Sequence, residues 1–421
     1  MSTRDYGVVP SGANLGSGAE KLGRTARIGN GSTPRRENRK YWDGGDVPWL
    51  NSAVVNQRRV GSASAFVTAA ALAECHLPIV PPGSILVGLT GQGKTRGMAT
   101  ILDIKATVNQ HLAYVIPDRD KWWPDYLVWL LTSAYNDLRR ISEENGSTKG
   151  GLTCEALKRL RVTMPPVDEQ RAIADYLDCE TAQIDNLIEE QQWLIEMLRE
   201  RRTAVVSHAT SRGAEVEFRR IIAVLRQGWS PNCESWPADG VTEWGVLKVG
   251  CSNTGRFDAA ENKRLPSDET PRPEFAVRRG ELVMSRSNTK ELVGAVSVVQ
   301  GDYPRLLLSD LTYGISLVAE ADPAFIAYAL ASPAMRVQIS AASKGMSHSM
   351  QKISQRDIRE LRLRLPALDE QRRVVEYLDE QTAKIDTLIA ETERFIELSR
   401  ERRTALITAA VTGQIDVRKA V

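Results

Sequence analysis

Apolar positions in this chain follow two rhythms. Through most of its length they come as short runs broken by turn residues, and in two places they change to a sustained three-four spacing. Short runs of this kind predict strands at Val47–Leu50, Leu77–Val80, Ile85–Leu89, Thr100–Ile104 and Leu112–Ile116, with the Pro81, Pro82, Gly83 turn and a Gly-rich loop between them. Leu127, Leu130, Leu131 and Leu138 have helical spacing over Asp125–Leu138, and Phe325–Leu330 repeats that helix later in the chain. Gly146–Gly151 reads as a loop. Thr153 is placed to cap a short helix carrying Leu157 and Leu160, and Val162 to Met164 then lead into Pro165 and Pro166, which suit the first turn of a helix.

The three-four spacing belongs to two long helices. One buries Ile184, Leu187, Ile188, Leu194, Ile195 and Leu198; the other buries Ile385, Leu388, Ile389, Phe395 and Ile396, with interruptions at Gln191 and Thr392. About 43 residues of helix span roughly 65 Å, more than a domain core requires. An apolar seam of that length needs a partner helix, and the expected partner is the other copy, paired antiparallel as a coiled coil with one globular domain at each end.

The two stretches are copies. Pro165, Glu169, Gln170, Arg171, Tyr176, Leu177, Asp178, Thr181, Ile184, Asp185 and Arg199–Ala204 recur at Pro366, Glu370, Gln371, Arg372, Tyr377, Leu378, Asp379, Thr382, Ile385, Asp386 and Arg400–Ala405. Each pair is 201 residues apart (370 − 169), with no insertion from Leu152/Ile353 through Ala209/Ala410. The preceding segments share a frame at a different interval. Pro34, Gly83 and Gly97 recur as Pro231, Gly280 and Gly294, 197 residues later (280 − 83), while the residues between them diverge. An α/β fold with an internal pseudo-two-fold repeat follows. Its expected parts are a flexible N-terminal tail (1–20), a globular domain (21–164), a central long helix (165–212), a second globular domain (213–365), a distal long helix (366–412) and a C-terminal tail (413–421).

Composition narrows the class. A hydrophobic content of 42% and a charged content of 26% are those of a soluble globular chain of 421 residues. No stretch approaches the ~18 uncharged apolar residues of a membrane span, and residues 1–20 lack the apolar run of a secretory signal. Cys75, Cys154, Cys179, Cys233 and Cys251 are odd in number and scattered, which fits reduced thiols in the cytoplasm and no zinc site. A net charge of +2 neither demands nor excludes a polyanionic partner.

The repeated residues resemble the specificity (S) subunit of Type I restriction-modification enzymes, over nearly the whole chain. The resemblance rests on the Pro-Pro entry with Glu169 and Gln170, the Leu177–Asp178 pair and the Thr181, Ile184, Asp185 run, which recur over Pro366–Asp386 with Ala367 in place of the second proline. It implies two target-recognition domains, each reading one half of a split, asymmetric site on double-stranded DNA, and a helix pair that fixes the gap between the halves. It also implies two methyltransferase (modification) subunits docked on the helices and a separate restriction subunit for translocation and cleavage. S-adenosylmethionine, ATP and magnesium then belong to the partners.

Gly88–Thr95 satisfies the phosphate-loop pattern, with Lys94 and Thr95 in the phosphate and magnesium positions. That motif needs a helix directly after it, and the residues from Arg96 onward read as turn and strand. The expected element is instead a DNA-facing hairpin carrying Gln92, Lys94, Thr95 and Arg96, answered in the second domain by Arg286, Ser287, Asn288 and Lys290. Arg35 and Arg36 in a basic loop, and Lys149, Lys344 and His348 beside glycines, have the chemistry for phosphate contacts; the plain alternatives are a solvated loop and an ordinary connector. Trp42, Trp49, Trp229 and Trp244 fit turn packing better than base stacking. Partner docking is expected at Glu169, Gln170, Arg199, Arg202 and their copies Glu370, Gln371, Arg400 and Arg403. Neither a Gly-rich methyl-donor loop nor an Asn-Pro-Pro-Tyr motif occurs, and His76, His111, His208 and His348 form no nucleophilic or metal-ligating arrangement, so the chain is expected to be non-catalytic. The competing readings are an ATPase built on Gly88–Thr95 and a coiled-coil scaffold that does not bind DNA.

Overall fold

A computed structural model of the chain describes residues 19–91, 93–144, 151–345 and 350–417. They form two compact units, Met1–Glu190 with Phe395–Val421, and Gln191–Arg394, so the division falls inside both long helices.

In the first unit a five-stranded sheet runs in the order Ala26–Asn30, Leu112–Pro117, Ser84–Gly88, Ala99–Leu102, Arg59–Val60. Ser84–Gly88 is buried along its whole length because both faces of the sheet are covered. Ile85 and Val87 point into a core with Trp122, Tyr126, Leu127 and Leu157, and Leu86 points the other way, among Leu50, Val55, Val60 and Val108. Successive strand residues alternate faces, so one apolar run serves two cores. A smaller sheet of Ala65–Val67, Val47–Leu50 and Thr107–Val108 closes the second core. The short pair Glu20–Lys21 with Arg161–Val162 brings the start and end of the globular part together.

In the second unit the corresponding sheet is Ile222–Gln227, Thr312–Leu317, Leu282–Ser285, Val296–Val298. Leu282 and Met284 pack with Phe218, Ile315, Phe325 and Ile326, and Val283 faces Leu247, Cys251, Leu306 and Leu308. Ala214–Glu217 pairs with Arg362–Leu365, the same closure of domain start on domain end. The glycines shared by the two frames share a conformation: φ is +77° at Gly83 and +79° at Gly280, +86° at Gly97 and +72° at Gly294. These left-handed turns exclude other residues cheaply, which explains how the frame persists while its filling changes.

Two expected elements differ. Leu77–Val80 is not a strand; only Val80 makes a single bridge, to Ala106. The helix expected over Asp125–Leu138 is two helices, Pro124–Ser133 and Tyr135–Glu144, separated at Ala134. Thr153 does cap Cys154–Arg159, its side chain accepting from the Ala156 amide.

The long helices are Val167–Ala209 (43 residues) and Leu368–Val411 (44 residues). Their apolar stripe is split by depth. Ile184, Ile188, Ile195, Leu198, Ile385 and Ile396 are buried, whereas Leu187, Leu194, Leu388 and Phe395 are 38–47% exposed and Trp193 is 67% exposed. The seam is therefore narrower than the sequence suggests, and large apolar groups stand outside it. Thr392, read as an interruption, is buried; its hydroxyl donates to the Leu388 carbonyl, which satisfies it inside the helix.

Candidate nucleic-acid interface

In the first unit, Asn30 lies opposite Ala113 and Gly88 opposite Leu112, so the loops after Ala26–Asn30 and Ser84–Gly88 and before Leu112–Pro117 emerge at one end of the sheet. Side chains tie them together. Asn30 Nδ2 donates to the Gln110 carbonyl (3.3 Å), the Thr33 hydroxyl donates to Gln110 Oε1 (2.6 Å), and His111 bridges Gln110 Nε2 (3.3 Å) and Thr90 Oγ1 (3.0 Å).

The neighbouring loop from Gly88 to Gly97 is a hairpin. Gly97 N donates to Gly88 O (2.8 Å), and the chain continues into Ala99–Leu102, antiparallel to Ser84–Gly88. A phosphate loop needs a helix N-terminus at this point, and a strand stands there instead. Thr95 Oγ1 turns back to the Thr90 carbonyl (3.4 Å) rather than outward. The hairpin is held by its backbone: Arg139 Nη1 donates to Gly93 O (2.6 Å) and the Tyr135 hydroxyl to Lys94 O (2.9 Å). Lys94 is exposed, as are Arg35 and Arg36. Arg96 is a correction. It is 7% exposed and its guanidinium reaches Glu143 (3.1 Å), so it braces the hairpin against Tyr135–Glu144 and is not the exposed side chain expected. Gln92, Lys149 and His348 lie outside the described residues.

The second unit repeats this geometry with other residues. Gln227 Nε2 donates to Asp310 O at 3.3 Å, matching Asn30 on Gln110 O. Arg336, 197 residues after Arg139, donates to Val293 O (2.7 Å) and Glu291 O (2.8 Å), again gripping the hairpin by its carbonyls. Burial lowers the Arg336 pKa from its ordinary value. Lys290 and Lys344 are exposed. Arg286 is half-buried and donates to Asp310 O (2.9 Å), and Asn288 Nδ2 donates to Asn253 Oδ1 (3.0 Å). Ser287 is 5% exposed and paired in a short strand with Lys352, so it is a correction: its place is in the packing, not on the surface.

Trp42, Trp49, Trp229 and Trp244 are packing groups. Trp49 is buried and meets Trp42 edge-on at 5.3 Å; Trp229 and Trp244 lie under the guanidinium groups of Arg272 and Arg305.

At the helix starts the repeated motif has a structural meaning that pattern alone did not reveal. Gln170 and Gln371 are fully buried, which corrects their assignment to a docking surface. Gln170 accepts from Trp123 N and donates to Lys121 O and Pro165 O, all at 2.8 Å. Gln371 makes the same three bonds, to Asp322 N (2.8 Å), Glu320 O and Pro366 O (both 2.9 Å). Each glutamine locks the long helix to the turn before the domain's first core helix. Glu169 and Glu370 beside them are half-buried.

The repeated aspartates do related work. Asp178 accepts from Trp129 Nε1 (2.9 Å) and Arg58 (2.8 Å), with the Arg58 guanidinium 4.0 Å above the indole. Asp379 accepts from the Tyr328 hydroxyl (2.7 Å), which raises that phenol's pKa through burial first and the carboxylate bond second. Asp185 pairs with Arg403 (2.8 Å), and Asp386 with Arg202 (2.9 Å). Arg202 and Arg403, expected to face partners, therefore link helix to helix within their own units. Arg199 pairs with Glu196 (2.7 Å) and Glu393 (3.4 Å), and Arg400 is exposed. Among the described residues no group of three or more His, Cys, Asp or Glu is arranged to hold a metal ion, and no helix is long and apolar enough to cross a membrane.

Residues 20–196 match the family described as the Type I restriction modification DNA specificity domain. The chain is 28% identical over 192 residues to the EcoEI specificity subunit of Escherichia coli, a match covering 45% of this chain and 32% of that protein. It is 23% identical over 273 residues to the EcoKI specificity subunit of Escherichia coli strain K12, covering 61% and 58%. The chain thus spans about a third of the first of these relatives. Among solved structures, its fold is similar to a chain from a study of the assembly and conformational transition of the type I R-M system, with TM-score 0.74, 14% identity and coverage of 96% of this chain and 100% of that one. The HsdS subunit from Thermoanaerobacter tengcongensis gives TM-score 0.57, 14% identity and coverage of 97% and 100%. Fold and family match together define an α/β protein with a DNA specificity domain. Residues 20–196 thus carry the match to a Type I restriction modification DNA specificity domain, and the fold over nearly the whole chain is similar to that of solved type I R-M proteins.

Proposed function

We propose that this chain is the DNA-sequence-specificity subunit of a Type I restriction-modification complex, and that it binds a bipartite, asymmetric site on double-stranded DNA through one recognition domain per half. The observation that carries this reading is the pair of equivalent loop clusters. The same contacts of a side-chain amide with a main-chain carbonyl, Asn30 on Gln110 O and Gln227 on Asp310 O, hold loops of different side-chain chemistry. Contacts to phosphate position a protein and contacts to base edges specify sequence, so a constant frame with variable loops suits two readers of different sequences. Exposed Arg35, Arg36, Lys94, Lys290 and Lys344 supply the phosphate contacts in this reading.

The long helices act as an antiparallel coiled-coil spacer between the half-sites. The ion pairs Arg403–Asp185 and Arg202–Asp386, each joining the C-terminal part of one helix to the N-terminal part of the other, support that direction. Two methyltransferase subunits dock on the helices. Exposed Trp193, Leu194 and Leu388 of the second unit, with Arg199, are a better docking surface than the buried glutamines, since exposed aromatic and aliphatic groups gain most from being covered. The subunit performs no chemistry of its own in this reading; S-adenosylmethionine, ATP and magnesium are used by methyltransferase and restriction subunits, in the cytoplasm.

Co-expression with a Type I methyltransferase subunit, followed by genome-wide mapping of methyladenine, tests the proposal. A two-part motif with a fixed gap is the expected result, and methylation without any motif contradicts it.

A further inference from the structure

Among the described loop side chains of the first unit, Gln110 combines exposure with an amide held at both ends. It lies in the link between Thr107–Val108 and Leu112–Pro117. The link is pinned from below: Asn109 Oδ1 accepts from His111 N (3.0 Å), and Asn30 Nδ2 donates to the Gln110 carbonyl (3.3 Å). Gln110 Oε1 accepts from the Thr33 hydroxyl at 2.6 Å, and Nε2 donates to His111 Nε2 at 3.3 Å. With Nε2 accepting, the imidazole proton sits on Nδ1, where it donates to Thr90 Oγ1 at 3.0 Å. The reversed amide goes with the other imidazole tautomer, and in either arrangement one end of the amide donates while the other accepts.

Each end of the amide keeps one unused function, a second lone pair on Oε1 and a second hydrogen on Nε2. Adjacent donor and acceptor of that kind complement adenine, whose major-groove edge offers the N7 acceptor beside the N6 donor. The rotamer freedom that a surface glutamine loses on binding has already been removed by Thr33 and His111. In the second unit the register sets Asp310 at the corresponding place, two residues before Thr312 as Gln110 is two before Leu112. A carboxylate only accepts and so matches the cytosine N4 donor instead.

We propose that Gln110, buttressed by Thr33 and His111, reads one adenine in the half-site bound by the first recognition domain. This rests on the DNA-specificity reading above and names the residue and base edge through which that site acts.

The full chain, in complex with methyltransferase subunits, is tested by motif mapping with Gln110→Ala, Gln110→Glu, Thr33→Val and Thr33→Ser. Gln110→Ala is expected to lower discrimination for adenine at one position on the order of tenfold to a hundredfold, leaving the other half-site intact. Gln110→Glu is expected to shift that position toward cytosine. Thr33→Val weakens the same position and Thr33→Ser restores it. An unchanged motif in both Gln110 variants, or a loss spread over both half-sites, overturns the assignment while the specificity reading stands. A wild-type complex without a motif removes that reading and the assignment with it.

Discussion

Replacing Gln371 with leucine removes three hydrogen bonds from a side chain with no exposed surface: the acceptor for Asp322 N and the donors to Glu320 O and Pro366 O. At about 1 kcal/mol net per bond, and with backbone groups left short of a partner, the loss comes to about 3 kcal/mol. Because leucine fills similar volume, little of this is a cavity cost. The effect is local, since the bonds join the helix start at Leu368 to the turn before Pro323–Ala331. Hydrogen exchange should show the Asp322 amide opening roughly a hundredfold more readily in the variant, the equivalent of ~3 kcal/mol. The Trp123 amide, held by Gln170 in the first unit, should keep its wild-type rate. Less than threefold acceleration at Asp322, or equal acceleration at Trp123, would refute the view that each glutamine is an independent latch.

Other consequences concern charge and thiol chemistry. Arg226 and Glu281 form a buried pair at 2.7 Å, with Glu281 side chain 1% exposed; Arg226→Met strands that carboxylate and should cost about 3–5 kcal/mol in urea unfolding of the second unit, whereas Arg226→Met with Glu281→Met should recover much of it. The partly exposed Arg403–Asp185 pair should give a coupling energy below about 1 kcal/mol in a double-mutant cycle, and a much larger value would mean that the helix link is tighter than its exposure implies. Burial pushes the Cys251 thiol up to about 12, so at pH 8 it should resist a thiol reagent that labels exposed Cys179, and comparable labelling rates would contradict the burial. Lys94→Ala should leave nucleotide binding by the purified chain unchanged, because the chain after Thr95 turns into a strand; binding abolished by that substitution would revive the phosphate-loop reading.

The long helices were legible because three-four spacing over so many residues has no other common cause, and the repeat was legible because identical intervals survive in plain sequence. The interface was legible only in outline. Lys94 and Lys290 have the surface positions their chemistry suggested, while Arg96 and Ser287 do not, since burial depends on Glu143 and Lys352, partners distant in sequence. Gln170 looked like a surface residue of a helix; its partners, Lys121 and Trp123, lie 49 and 47 residues earlier. The break at Ala134 was invisible because apolar spacing continues in phase from Leu131 to Leu138 across it. Gln110 and His111 carried no motif at all, and their pairing with Thr33 and Thr90 exists only once the strand register brings three loops to one sheet end.

The division of recognition between the two globular domains is tested most directly by exchange. Residues 21–164 are replaced with the corresponding segment of a specificity subunit of known motif, and methyladenine is mapped in the reconstituted complex. One half of the motif should change to that of the donor, with the other half and the gap preserved. A change in both halves, or in neither, would contradict the assignment of one half-site to each domain.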